Sequence, residues 1–60
     1  MTAIIKDYKV GQQMRRFTLA ITRVNHATAK EEARKLRKAG LTVRMDKEPD
    51  GKYNLYSRWN

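Results

Sequence analysis

Hydrophobic and polar positions alternate along four stretches of this chain, and along a fifth they recur with the period of a helix. Residues 14 to 24 alternate most clearly, with Phe17, Leu19 and Ile21 on one side and Arg16, Thr18, Ala20 and Thr22 on the other. Their β-branched and aromatic content suits a half-buried strand. Residues 2 to 10 predict an earlier strand, with Ile4, Tyr8 and Val10 on one side and Ile5 on the other. Gly11-Gln12-Gln13 predicts the turn that joins the two. Residues 41 to 47 place Leu41, Val43 and Met45 inward and Thr42, Arg44 and Asp46 outward. In Glu48-Pro49-Asp50-Gly51, Pro presets φ and Gly accepts a positive φ, so a tight turn is predicted. Residues 52 to 59 then return as a strand, with Tyr53, Leu55 and Trp59 on one face and Asn54, Tyr56 and Arg58 on the other.

The helical stretch spans 28 to 39. Thr28 and Glu31 have capping-box spacing, and Gly40 stands where a helix usually turns left-handed. Glu31 and Glu32 in the first turn and Arg37 and Lys38 in the last favour the helix dipole. Glu31 and Lys35 are spaced to pair along the exposed side. The apolar stripe, Ala29, Ala33 and Leu36 with Ala39 beside it, is narrow, so the helix can lie close to a sheet without covering much of it.

The element order is therefore β-β-α-β-β, an α+β single domain over residues 1 to 60 with one helix packed on one face of a largely antiparallel sheet. The expected core is Phe17, Leu19, Ile21, Ala33, Leu36, Leu41, Val43, Met45, Tyr53, Leu55 and Trp59. With 60 residues that core is thin, and pairing of two copies into a homodimer would thicken it. Should the C-terminal end fray, Trp59 becomes an anchor for a protein partner.

Charge changes the picture most. Fourteen Lys and Arg against six Asp and Glu give a net charge of +8, distributed as +4 over residues 1–24, +3 over 25–40 and +1 over 41–60. Such a field draws polyanions, so nucleic acid is the first expected partner and an acidic, nucleic-acid-handling protein surface the second. Membrane lipid is not expected, because the helix lacks the wide apolar face of an interfacial helix. No apolar run approaches the length of a membrane span, and the first residues carry no signal-peptide stretch, so a soluble, cytoplasmic location is expected.

Candidate chemistry is sparse. The chain has no cysteine and one histidine, His26, at the start of the helical stretch. A lone imidazole makes neither a catalytic triad nor a common zinc site. Asp46, Glu48 and Asp50 alternate around the hairpin tip, but Lys47 and Lys52 flank them and the EF-hand spacing is missing, so a solvated turn is expected. No glycine-rich phosphate loop occurs. The expectation is a non-enzymatic binding module without cofactor or metal.

Two basic surfaces compete as the binding face. On the helix, Lys30, Arg34, Arg37 and Lys38 form one stripe opposite the alanines. On the outward face of the sheet, Arg16, Arg44, Lys52 and Arg58 surround Tyr56, with small polar residues between them. Four cations and one ring on an open sheet can follow a phosphate backbone while the ring stacks on a base.

Phe17-Thr18-Leu19-Ala20-Ile21, Ala29 through Leu36, Ala39-Gly40-Leu41-Thr42-Val43 and Gly51-Lys52-Tyr53-Asn54-Leu55 carry a resemblance. Over residues 16 to 58 they look like the first β-α-β-β part of a SPOR domain, the peptidoglycan-binding module of bacterial division proteins. That resemblance implies the strand–helix–hairpin fold and, third among the functional expectations, peptidoglycan binding. In format the whole chain is also similar to small bacteriophage proteins, including anti-CRISPR proteins and host-polymerase inhibitors. This similarity implies an inhibitor of phage or mobile-element origin that occupies a host protein complex in the host cytoplasm, and it transfers no residue roles.

Overall fold

The structure, a computed structural model, describes residues 3–59. Its elements run β1 (Ile5–Val10), β2 (Gln13–Val24), α1 (His26–Lys38), β3 (Leu41–Lys47) and β4 (Tyr53–Trp59). This is the expected α+β fold. The four strands form one antiparallel sheet in the order β1-β2-β4-β3, and α1 packs mainly against β3 and secondarily against β4. The start of the expected first strand at residue 2 lies outside the described residues.

Local chemistry explains most boundaries. Gly11 has φ 64° at the first position of the two-residue β1–β2 turn, where a tight hairpin needs a positive φ. At the β3–β4 tip, Gly51 N–H donates to the Glu48 carbonyl at 2.9 Å, and Lys52 N–H donates to the Asp50 carboxylate at 2.9 Å. The helix starts earlier than Thr28. Asn25 is the N-cap, its side-chain oxygen accepting from Thr28 N–H at 2.8 Å. Asn caps as well as Thr does, and the earlier start adds helical residues for the same cap. Thr28 and Glu31 therefore do not form a capping box. Glu31 bonds Arg34 at 3.0 Å and Glu32 approaches Lys35 at 3.7 Å, in place of the expected Glu31–Lys35 pair.

The main departure lies in β2. Leu19 pairs with Tyr56 and Ile21 with Leu55, so β2 uses two steps where β4 uses one. Tyr56 and Leu55 point to opposite faces of β4. The extra residue, Ala20, is thus a β-bulge that moves β2's apolar side chains from one face of the sheet to the other. Phe17 and Leu19 do not share a face with Ile21. Ile21 and Val24 join Ala29, Ala33, Leu36, Val43, Met45, Tyr53 and Leu55 in the core beneath the helix. Phe17 packs on the opposite face with Tyr8 (ring centroids 5.2 Å apart, edge to face), and Tyr8 also meets Tyr56 at 5.8 Å. Phe17, Leu55 and Tyr56 are all fully buried. Trp59, expected in the core, is 69% exposed, because α1 lies mainly over β3 and leaves the far end of β4 uncovered.

A second irregularity follows between Ile21 and Val24, where Arg23 takes φ 56°. Asn54, only 2% exposed, holds it: its carbonyl oxygen accepts from Arg23 N–H at 2.9 Å and from the Thr22 hydroxyl at 2.8 Å, while its amide donates to Glu48 at 2.7 Å. Asn54→Ala leaves these partners unmatched inside a left-handed bend. We expect a loss of about 1–3 kcal/mol, read as a drop in the thermal unfolding midpoint by circular dichroism.

Candidate nucleic-acid interface

Curling of the sheet decides which cations reach solvent as a group. β1 and β3 are opposite edges, yet Lys6 of β1 forms an ion pair with Asp46 of β3. The Tyr8 hydroxyl reaches the same carboxylate at 3.5 Å, and Arg44 donates to the Lys9 carbonyl at 3.1 Å. The Tyr56 hydroxyl donates to the Ala3 carbonyl at 2.6 Å. The face turned away from the helix is therefore a filled concave trough, not an open platform. Lys6 sits over the Tyr56 and Tyr8 rings at 5.4 and 5.8 Å, and Tyr56 cannot stack on a base.

The five cations and rings expected on one open face part company. Arg44 and Arg58 remain on the concave side, toward one end of the trough. Arg16 pairs with Asp7 and projects from the convex side. Lys52 lies at the β3–β4 tip, at the opposite end of the molecule from the β1–β2 turn. On the helix, Arg34 is tied to Glu31 and Lys30 lies in the N-terminal half, while Arg37 and Lys38 lie in the last turn.

A different grouping emerges. The β1–β2 turn, the start of β2, the end of β4 and the start of β3 all meet at one end, by the strand registers. α1 ends there too, because only Ala39 and Gly40 separate Lys38 from Leu41, which pairs with Trp59. Gly40 makes that short connection in a left-handed conformation, with φ 102°. This end gathers Lys9, Arg15, Arg16, Arg37, Lys38, Arg44 and Arg58, with Asp7 as the sole side-chain carboxylate among the described residues. None of the seven forms a salt bridge among the described residues, and all but the half-buried Arg58 are exposed. Lys9 and Arg15 were missed in the sequence pattern; the two-residue turn at Gly11-Gln12 carries the signal, since it fixes the register that brings them to this end.

The rest of the molecule holds seven cations with the other five carboxylates, and four of those cations, Lys6, Arg23, Arg34 and Lys35, are ion-paired. Arg23 contacts Glu48 at 3.3 Å and Asp50 at 2.8 Å, and Lys6 takes Asp46. The hairpin-tip carboxylates thus bind the protein's own bases. A shallow cleft of about 450 Å³ opens over Lys6, Asp46 and Asn54, and of its charged groups Lys6, Asp46 and Glu48 are already engaged. The Lys52 N–H bond holds the Asp50 carboxyl below its usual range, with the Arg23 charge adding to the effect. His26 stacks obliquely on Tyr53 at 5.1 Å at the first turn of α1.

Comparison with known proteins finds no matching family model, characterised protein or solved structure. No helix among the described residues is long and apolar enough to cross a membrane.

The bridge between the sheet edges has a pH signature. The hydrogen bond to Asp46 raises the Lys6 pKa above its ordinary 10.5. Burial, then the Asp46 charge, raises that of Tyr8 above 10.0. In both cases the folded state holds the proton more tightly than the unfolded chain, so the contribution is complete below the ordinary value and disappears as pH rises through the folded one. Stability should fall above about pH 10, and less steeply in Asp46→Asn, as followed by urea unfolding across the alkaline range.

Proposed function

We propose that this chain is a nucleic-acid-binding module that grips phosphates with its basic end. The observation that carries this reading is the segregation of charge among the described residues: seven cations outside any salt bridge and one side-chain carboxylate at one end, seven cations and five carboxylates elsewhere. Surface charges of opposite sign interspersed over a protein largely cancel at a distance, whereas a one-signed end focuses the field and raises the encounter rate with a polyanion. Arg supplies five of the seven cations, and its planar fork matches a phosphate's oxygens better than an ammonium does.

Phosphate contacts of this kind position a ligand and carry little sequence information. Binding is therefore driven by counterion release and weakens steeply with salt. The helix contributes through Arg37 and Lys38 at its end rather than through its whole exposed face.

The test is a salt-dependent titration with labelled oligonucleotides. Arg15→Ala and Arg58→Ala should each weaken binding and flatten the log–log salt slope by roughly 0.7–0.9 for every phosphate no longer neutralised, while Lys30→Ala and Lys52→Ala should change neither. Affinity no greater than that of an oligolysine of equal charge would overturn the reading.

A further inference from the structure

The convex face of the β1–β2 hairpin is the surface that the core does not use. Strand pairing sets Ile5 beside Thr18 and Thr18 beside Ser57, a row that runs into the helix-covered core at Val43. One step toward the basic end, Asp7 pairs with Arg16; beyond it, Lys9 pairs with Met14. Trp59 projects from the same face as Ser57 by alternation, and extending the Thr18–Ser57 register sets it beside Arg16. Three of the four large apolar side chains that are exposed among the described residues lie here: Ile5 (54%), Met14 (63%) and Trp59 (69%). From β1 to β4 the patch spans two strand spacings, about 10 Å.

Apolar and cationic groups are interleaved on this patch, Arg16 standing between Trp59 and Met14 and Lys9 opposite Met14. A body that covers it must offer flat apolar surface and negative charge at alternate positions. Unpaired bases alternating with phosphates have that arrangement. A duplex hides its base faces in the stack and shows only edges in its grooves. An acidic protein surface offers the charge but seldom the flat apolar planes beside it, since charged residues are depleted where an interface is most apolar. Pairing with Leu41 also fixes the Trp59 backbone in the ladder, so the indole is presented from a held strand and not from a fraying end.

We infer that the ligand of the basic end is a single-stranded nucleic acid, one base of which stacks on Trp59 while Arg16 and Lys9 hold the flanking phosphates. This rests on the nucleic-acid reading above and narrows it to one substrate class. Trp59 is the chain's single tryptophan, so its fluorescence reports the contact directly.

The experiment titrates the protein with a single-stranded oligonucleotide of mixed sequence, with a hairpin duplex of the same length, and with polyglutamate of matched charge. The single strand should bind tighter than the duplex and quench Trp59. Trp59→Ala should weaken single-strand binding by about 5- to 150-fold, with Trp59→Phe recovering part of the loss and the thermal midpoint unchanged in both. Equal affinity for duplex and single strand, with Trp59→Ala neutral, would overturn the stacking inference and leave the phosphate-binding reading standing. Quenching by polyglutamate as strong as by the single strand would overturn it in favour of an acidic protein partner. No saturable binding of either nucleic acid would overturn both.

Discussion

Ala20 gives β2 one residue more than β4 across the Leu19–Ile21 step, and most of the structure depends on that residue. On a regular strand, Phe17, Leu19 and Ile21 would all face the helix, and the other face would be polar. With the bulge, β2 feeds both faces: Ile21 and Val24 go beneath α1, and Phe17 goes to the opposite side against Tyr8 and Tyr56. A bulge also increases local twist, and the sheet curls until its two edges exchange Lys6–Asp46 and Arg44–Lys9 contacts. Sixty residues with a helix whose buried positions are alanines cannot build one large core. They build two small ones on either side of β4, whose Leu55 and Tyr56 are both buried.

The curl also determines how charge is distributed. Filling the trough with rings removes the sheet's second face as a binding platform and leaves Arg44 and Arg58 on that side toward one end of it. At the opposite end, Arg23 draws in Glu48 and Asp50, Lys6 reaches across from β1 to Asp46, and Asn54 links Glu48 to the bend at Arg23. Exposed ion pairs contribute little to stability individually. Their larger effect here is on the field, because pairing charges elsewhere leaves most of the excess positive charge at one end.

The element order, the strand limits of β2 and β3, both turns and the alanine stripe of α1 were legible in the sequence, since each rests on local periodicity or turn chemistry. The faces of β2 were not. Phe17, Leu19 and Ile21 alternate perfectly, and the small Ala20 gives no local sign of a bulge. The hint lay in β4, where Tyr53, Leu55 and Tyr56 put large apolar groups on both sides, as a strand covered on both faces does. Tyr56 read as a surface ring because alternation sets it opposite Tyr53 and Leu55; in the fold its hydroxyl reaches the Ala3 carbonyl. Asn54 read as an outward polar residue and is instead a buried bracket, a role set by partners 31 and 32 residues away. The candidate site suffered most, because grouping cations by strand face fails once the faces exchange. Grouping by end of the molecule needs the registers, which only the folded chain supplies.

The proposed binding site lies at one end of the molecule, and amide-resolved NMR with a short single-stranded oligonucleotide tests that proposal most directly. Chemical-shift changes should concentrate at Lys9, Arg15, Arg16, Arg37, Lys38, Arg44, Arg58 and the Trp59 indole, and residues 48–52 and the first turn of α1 should stay unmoved. Changes centred on the hairpin tip or on the N-terminal half of the helix would contradict it.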